Sequence, residues 1–223
     1  MKQIGMQVKA RKTERLPELS MKKLPAEKEM KMSGRQKRLN GMLLDAAEKN
    51  RLKIAERLLK IGADVNARNK DGWTPLMEAS WENDMEMCKL LIGNGADIEA
   101  TNEKGGDALG GAAYNGCAEV CELLIDKGAD VNAKGKGIFM GWTPLMHAAQ
   151  HGNLKTCRLL IEKGADMDAV NNAGNFKGRA IDHAERQQKY KTAELLERMG
   201  SIQKLTGKES LGVFVSNFRE CVR

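Results

Sequence analysis

One three-residue phrase returns along this chain at a nearly fixed interval. Gly62-Ala63-Asp64, Gly95-Ala96-Asp97 and Gly128-Ala129-Asp130 stand 33 residues apart, and Gly164-Ala165-Asp166 follows after 36. A period of this size marks a stack of small units, each too small to bury its own apolar face and completed only by its neighbours. Such a stack presents a long concave surface instead of closing around a single core.

The content of each interval is helical. In register, the units begin near Gly41, Thr74, Asp107, Thr143 and Arg179, and two of them open with Gly-Trp-Thr-Pro-Leu-Met, at Gly72–Met77 and Gly141–Met146. Thr is a good N-cap, and Pro suits the first helical position, where its missing N–H has no intrahelical partner in any case. Ala79 and the pairs Ala46-Ala47, Ala112-Ala113 and Ala148-Ala149 let this first helix approach its neighbours closely. A short turn centred on Gly116 or Gly152 leads to a second helix carrying Leu58-Leu59, Leu90-Leu91, Leu123-Leu124, Leu159-Leu160 or Leu195-Leu196. Gly62, Gly95, Gly128 and Gly164 are placed to end that helix as left-handed caps.

These phrases, all in phase, closely resemble the ankyrin repeat family over about residues 39–201. The resemblance implies an all-α solenoid of five helix-turn-helix repeats with hairpin fingers, at approximately 39–70, 71–103, 104–139, 140–172 and 173–201. It also implies a protein-binding function without naming the partner. Where the family usually carries His after Thr-Pro-Leu, this chain has Met77 and Met146, so the hydrogen bonds of that His are missing and modest stability is expected. The first repeat has Gly41-Met42 in place of Thr-Pro and the last has Arg179-Ala180, as expected of terminal units with one side in water. Two fingers are long: Lys134–Met140 and Asn171–Gly178.

Charge divides the chain. Residues 1–38 hold twelve Lys or Arg against four Glu, a net of +8 in a chain whose total is +7, leaving the rest at −1. With two Leu-Pro steps and few large apolar residues, this arm is expected to be largely disordered. It reads either as a contact for nucleic acid, an acidic protein or an anionic membrane, or as a solvated tail, or as an autoinhibitor folded onto the groove. Residues 202–223 are expected to form a C-terminal capping helix, with Leu211, Phe214, Val215, Phe218 and Val222 at helical spacing. No apolar run approaches the roughly 20 residues of a membrane span, and no signal peptide is recognisable. Cys88, Cys121 and Cys157 share one slot that Ala55 and Ala193 fill elsewhere, which reads as reduced, packed thiols. Together these features predict an intracellular, cytoplasmic protein, with a nuclear location also open to it in a eukaryotic host, and a monomer outside any complex.

The chain's nine aromatic residues cluster by register. Trp73 and Trp142 precede the capping Thr, and Trp81 and Tyr114 share one position of the first helix. The resemblance implies that both positions point into the concave groove. Phe139 sits on a long finger beside Trp142. Glu78 and Glu82 share a helical face with Trp81, and His147 and His151 form the matching set with Gln150. The expected partner-binding residues are therefore Trp73, Glu78, Trp81, Glu82, Tyr114, Phe139, Trp142, His147 and His151, with Asp84 and Asp107 as flanking acids; the competing reading is that the Trp residues pack across fingers. Trp73, Trp81 and Glu78 suggest in particular a pocket for a cationic side chain. His147 and His151 have a zinc-like spacing but no third ligand nearby in sequence, and no phosphate loop or catalytic constellation is present. The expectation is a non-enzymatic adaptor, scaffold or inhibitor that needs no cofactor or metal and binds a protein or peptide, with a basic segment favoured. The alternative is a chromatin-associated or nucleic-acid-associated protein in which the basic arm contacts nucleic acid.

Overall fold

The computed structural model describes residues 26–171 and 177–206. Ten α-helices among these residues alternate between two rows. The first row is α1 (Ala26–Glu48), α3 (Pro75–Trp81), α5 (Ala108–Asn115), α7 (Pro144–His151) and α9 (Ala180–Arg186). The second is α2 (Leu52–Lys60), α4 (Met85–Gly93), α6 (Ala118–Asp126), α8 (Leu154–Glu162) and α10 (Tyr190–Thr206). Each first-row helix packs on its own second-row partner and on the next first-row helix, and the second row stacks likewise. This is the expected all-α repeat solenoid.

Helices of seven to nine residues, which make up eight of the ten, are too short to persist alone in water, so caps and stacking must hold them. The Thr74 hydroxyl accepts from Met77 N at 3.3 Å, Thr143 from Met146 N at 3.4 Å, and the Asp107 carboxylate from Gly110 N at 2.6 Å. The turn between the helices of a repeat needs one left-handed residue. Gly116 and Gly152 supply it where expected, and Asn50, Asn83 and Gln188 adopt the same conformation in the other repeats. The second helices end where foreseen, with positive φ at Gly62, Gly95, Gly128 and Gly164.

Alanines 46, 47, 79, 112, 113, 148 and 149 are buried between first-row helices, and Leu58, Leu91, Leu124, Leu160 and Leu196 fill the layer between rows. Cys88, Cys121 and Cys157 are wholly buried and unbridged. Burial pushes the Cys88 thiol up to about 11 and that of Cys157 to about 12, so these sulfurs are inert packing groups. Cys117 is also free and buried, while Cys221 lies outside the described residues.

Side chains clip each repeat to the next. Asn66 Oδ1 accepts from Asp97 N at 2.7 Å, and Asn132 Oδ1 accepts from Asp166 N at 2.7 Å. In each case the Asn amide also donates to the carbonyl of the glycine two residues before that aspartate, Gly95 or Gly164. At the N-terminal end two residues of α1 divide the same pair of bonds between them. Asn40 Oδ1 accepts from Asp64 N at 3.0 Å, and Gln36 Nε2 donates to Gly62 O at 2.9 Å.

That contact accompanies the main departure from expectation at this end. The first repeat does not start a helix near Gly41, and residue 38 is not a boundary. Gly41 lies inside α1, which begins at Ala26 within the segment expected to be disordered, and Gln36 and Asn40 of this helix bond to the loop at residues 62–64. The rest of the arm, residues 1–25, lies outside the described residues. At the other end no new element starts at 202, since α10 continues from Tyr190 to Thr206. Ser210–Arg223, the expected cap, also lies outside the described residues.

The fingers are closed by backbone bonds that include Asn69 N to Trp73 O at 3.0 Å, Asn102 N to Gly106 O at 2.8 Å and Gly135 N to Trp142 O at 2.8 Å. Neighbouring fingers are tied by Glu103 N to Asp71 O and Lys136 N to Gly105 O, both 3.1 Å. In the long third finger the extra residues form a short 3-10 turn, Gly137–Phe139. The other long finger is closed by Asn171 N to Gly178 O at 3.1 Å, and residues 172–176 between these ends lie outside the described set.

Candidate functional site

Three positions after each capping residue, the second and fourth repeats carry Met77-Glu78 and Met146-His147, while the third carries Gly110-Gly111. Met77 and Met146 are buried at 3% and 1% exposure, so the third repeat lacks a side chain where its neighbours bury one. The space left is a cavity of about 290 Å³ between α3, α5, α7 and the intervening fingers. It lies at the small end of the volumes that ligand pockets occupy. The two glycines form part of its wall: a methyl at residue 111 would stand 3.4 Å from the Trp81 ring, and one at residue 110 would stand 3.6 Å from the His147 ring.

Aromatic rings supply most of the remaining lining. Trp81 stacks on Tyr114 with centroids 5.2 Å apart and planes 24° from parallel, and Trp73 meets Trp81 edge-on at 5.6 Å. On the far side His147 stacks on Trp142 at 5.0 Å and receives Phe139 edge-on at 5.4 Å. The extra residues of the third finger therefore bring Phe139 to the cavity. Asparagines of the following repeats hold the ends of the helices beneath these rings. Asn115 Nδ2 donates to Trp81 O at 3.0 Å, and Asn153 Nδ2 donates to Tyr114 O at 2.8 Å and Ala113 O at 3.0 Å.

One carboxylate lines the cavity, that of Asp107. Desolvation raises its pKa, against the lowering effect of the Gly110 N–H, and Glu99 and Asp130 raise it further. No Lys or Arg forms an ion pair with it among the described residues. His147 is 8% exposed and its Nδ1 is buried without a partner. Burial first, then His151 and His183, bring its pKa down to about 4, so the ring is neutral at physiological pH.

The residues singled out from sequence separate into three groups. Trp73, Trp81, Tyr114, Phe139, Trp142 and His147 converge on the cavity. Of these, Trp142 at 7% exposure and His147 at 8% are buried, Trp142 also lying 4.2 Å from the His183 ring. Trp73, Trp81, Tyr114 and Phe139 do not share that burial: all four are half-buried, Phe139 on the finger. His151 is exposed and lies against Tyr114 at 3.8 Å, with its pKa lowered by desolvation and by Lys189.

The acids fall elsewhere. Glu78 borders a separate depression near Glu48 and Asp45, accepts from Asn69 Nδ2 at 3.3 Å and does not line the aromatic cavity. Its carboxyl is pushed up to about 7, by desolvation first and then by Glu48 and Glu82. Glu82 is exposed at the end of α3. Asp84 is 6% exposed and caps α4 through Met87 N at 3.0 Å. The pocket anticipated from Trp73, Trp81 and Glu78 is therefore corrected: the acid beside these rings is Asp107, because helix geometry turns Glu78 toward α1.

Among known proteins, a model of ankyrin repeats in three copies matches residues 43–135, and a single ankyrin repeat model matches residues 140–172. The chain belongs to the ankyrin repeat family. Together the matches cover more than half of the chain, in the register deduced from its repeats. Beyond residue 172, α9 and α10 continue the ankyrin stack against α7 and α8. No curated protein matches the chain. Ankyrin repeats are general protein–protein interaction modules, and no helix among the described residues is long and apolar enough to cross a membrane.

Asp107 is foreseen as a flanking acid, while Gly110 and Gly111 are visible in the sequence but not as part of a site. Their signal is a break in register. A repeat whose two neighbours carry Met-Glu and Met-His at one slot, and which itself carries Gly-Gly, must either collapse or hold a hole there. His183, which backs Trp142, belongs to the same slot two repeats after Gly111.

Proposed function

We propose that this ankyrin repeat protein acts as an adaptor, scaffold or inhibitor that holds a protein partner against its first-row helices and fingers, centred on the second to fourth repeats. The observation that carries this reading is the half-buried Trp81–Tyr114 stack at the edge of an aromatic cavity. Large rings that keep an accessible face beside a desolvated pocket are the usual anchors of binding energy. Exposed Ile138 and Met140 flank Phe139 on the third finger and extend the apolar surface toward solvent. The acids of this side, Glu78, Glu82 and Asp107, favour a partner with a basic segment.

The test is capture of a partner from native extract by the full chain, followed by its affinity for Trp81→Ala and Tyr114→Ala. Each change is expected to weaken binding by about 2 kcal/mol or more, the scale of an interface anchor. A partner that binds both variants as tightly as the unaltered chain, and loses affinity when Lys and Arg of residues 1–25 are replaced, moves recognition to the basic arm.

A further inference from the structure

The first repeat leaves open two slots that every later repeat buries. Ile54 of α2 stands in the slot of Met87, Val120, Thr156 and Thr192, all of which are buried. Met42 of α1 stands in the slot of Pro75, Ala108, Pro144 and Ala180, also buried throughout. Yet Met42 is 47% exposed and Ile54 is 42% exposed. The missing cover is a preceding repeat. Thr192 and Ala180 are buried although no repeat follows theirs among the described residues, so it is the repeat before that covers these slots. Neighbouring slots point the same way: Lys155 of α8 reaches back to Glu119 of α6, and Lys163 reaches back to Asp126 at 2.7 Å. The slot of Lys163 holds Ile61 in the first repeat, and Ile61 is 56% exposed. Met42, Ile54 and Ile61 thus form an apolar end face where a terminal repeat needs a polar one.

Charge on this face is one-sided. Lys53, in the slot of Lys155, and Arg57, one turn further along α2, are exposed and form no ion pair among the described residues. Lys49 and Arg51 share the single carboxylate of Asp45. Four cations against one acid leave the face at +3. Lys49 and Arg51 also hold the slots from which Asn115 and Asn153 donate to the last carbonyls of the helix before, Trp81 O at 3.0 Å and Tyr114 O at 2.8 Å. Cations in those slots suit the carbonyl end of a helix.

We propose that this end face docks an acidic amphipathic helix of a partner protein, which stands where a preceding repeat would stand. Its apolar side covers Met42, Ile54 and Ile61, and its carboxylates meet Lys53 and Arg57. None of these residues lines the aromatic cavity, so this is a second surface, independent of the groove reading. The chain's own segments carry the wrong charge for it. Residues 1–25 hold seven Lys or Arg against two Glu, and Ser210–Arg223 holds two Arg against one Glu. A second copy turned face to face would set the same cations against each other.

The experiment uses the full chain. Methyl signals of Met42, Ile54, Ile61 and Met140 are followed by NMR during titration with two amphipathic peptides of about 18 residues, long enough to hold a helix. Both carry Leu on one face; the opposite face is Glu in one peptide and Lys in its twin. The Glu peptide is expected to shift Met42, Ile54 and Ile61 and to bind about tenfold more tightly than the Lys peptide, or better. Lys53→Glu with Arg57→Glu, both at exposed positions, is expected to reverse that preference. Ile54→Ser with Ile61→Ser is expected to abolish binding of the Glu peptide while the helical circular dichroism of the chain stays unchanged. The inference is overturned if neither peptide moves these signals, if the two bind equally, if the charge reversal changes nothing, or if Met140 on the third finger moves as much as Ile54. It is overturned as well if the face is already covered in the free chain. Signals of Met42, Ile54 and Ile61 that move with protein concentration would give the face to a second copy. Signals that move with Leu16→Ser, Leu19→Ser and Leu24→Ser together would give it to the basic arm, and with Phe214→Ser and Phe218→Ser to the C-terminal segment.

Discussion

The hexapeptide Gly-Trp-Thr-Pro-Leu-Met occurs twice in this molecule, and its two copies end in different surroundings. Their backbones agree: Thr74 and Thr143 have φ, ψ of −98°, 162° and −101°, 161°, and both cap the N–H three residues on. Leu76 and Leu145 are both wholly buried. The tryptophans diverge. Trp73 is half-buried and lines the cavity, whereas Trp142 is 7% exposed, with His147 on one side at 5.0 Å and His183 on the other at 4.2 Å. The slots that hold His147 and His183 around Trp142 hold Glu78 and Gly111 around Trp73. Identical local sequence therefore gives identical helix starts, while the neighbouring repeat decides which ring is core and which is surface.

The largest effect that would break this comparison is on stability. Trp142→Ala should cost about 3–5 kcal/mol, the range for deleting a buried aromatic, and Trp73→Ala no more than about 1–2 kcal/mol, because its ring keeps solvent contact. Urea unfolding followed by circular dichroism measures both, and equal losses would show that the two rings are equivalent after all.

The residues that follow the two hexapeptides give pH slopes of opposite sign. The folded-state pKa of His147 is brought down to about 4 from 6.5, so its contribution is present above about pH 6.5 and lost as pH falls through 4. With the ring buried, that loss is on the order of 2 kcal/mol. Glu78 is the reverse, raised to about 7 from 4.5, so its contribution is present below about pH 4.5 and lost as pH rises through 7. Solvent screening of this half-buried group limits its effect to about 1 kcal/mol. Thermal melts from pH 4 to 8 should show His147→Gln removing the acid-side loss and Glu78→Gln removing the alkaline-side one.

Where the environment does not enter, the two copies should behave alike. Thr74→Ala and Thr143→Ala should each cost about 1 kcal/mol, the value of an N-cap hydroxyl, and a difference much above that between them would mean that the caps are not equivalent. The smallest effect sharpens the contrast from the third repeat. Gly111→Ala should stabilise α5 by about 0.5–1 kcal/mol through helix propensity while placing a methyl 3.4 Å from the Trp81 ring. Tighter folding with an unchanged Trp81 indole signal would show that this face of the cavity is not where the ring sits.

Much of the stack is readable without coordinates. The glycines at 62, 95, 128 and 164, the caps at 74, 107 and 143 and the shared Ala/Cys slot each act over a few residues, and periodicity repeats the signal. Asn50, Asn83 and Gln188 do not announce themselves as turn residues, because they lack glycine's signature yet adopt the same left-handed conformation. The extent of α1 is hidden from a local reading because its middle is anchored from a distance, by Gln36 and Asn40 to the loop at residues 62–64. The site is half legible. Register finds the rings, but helical spacing with Trp81 places Glu78 beside them, and spacing along one helix cannot say which neighbouring helix a side chain meets.

The repeat architecture is thus written in the chain itself, because caps, left-handed turns and apolar spacing are short-range terms that every unit restates. The cavity is not. It exists because Gly110 and Gly111 lie between repeats that fill the same slot, because the third finger folds Phe139 back onto His147, and because Asp107 caps its helix at the edge of that space. Each of these is a relation between units, and burial, which raises the pKa of Asp107 and Glu78 and lowers that of His147, arises only when the units are stacked.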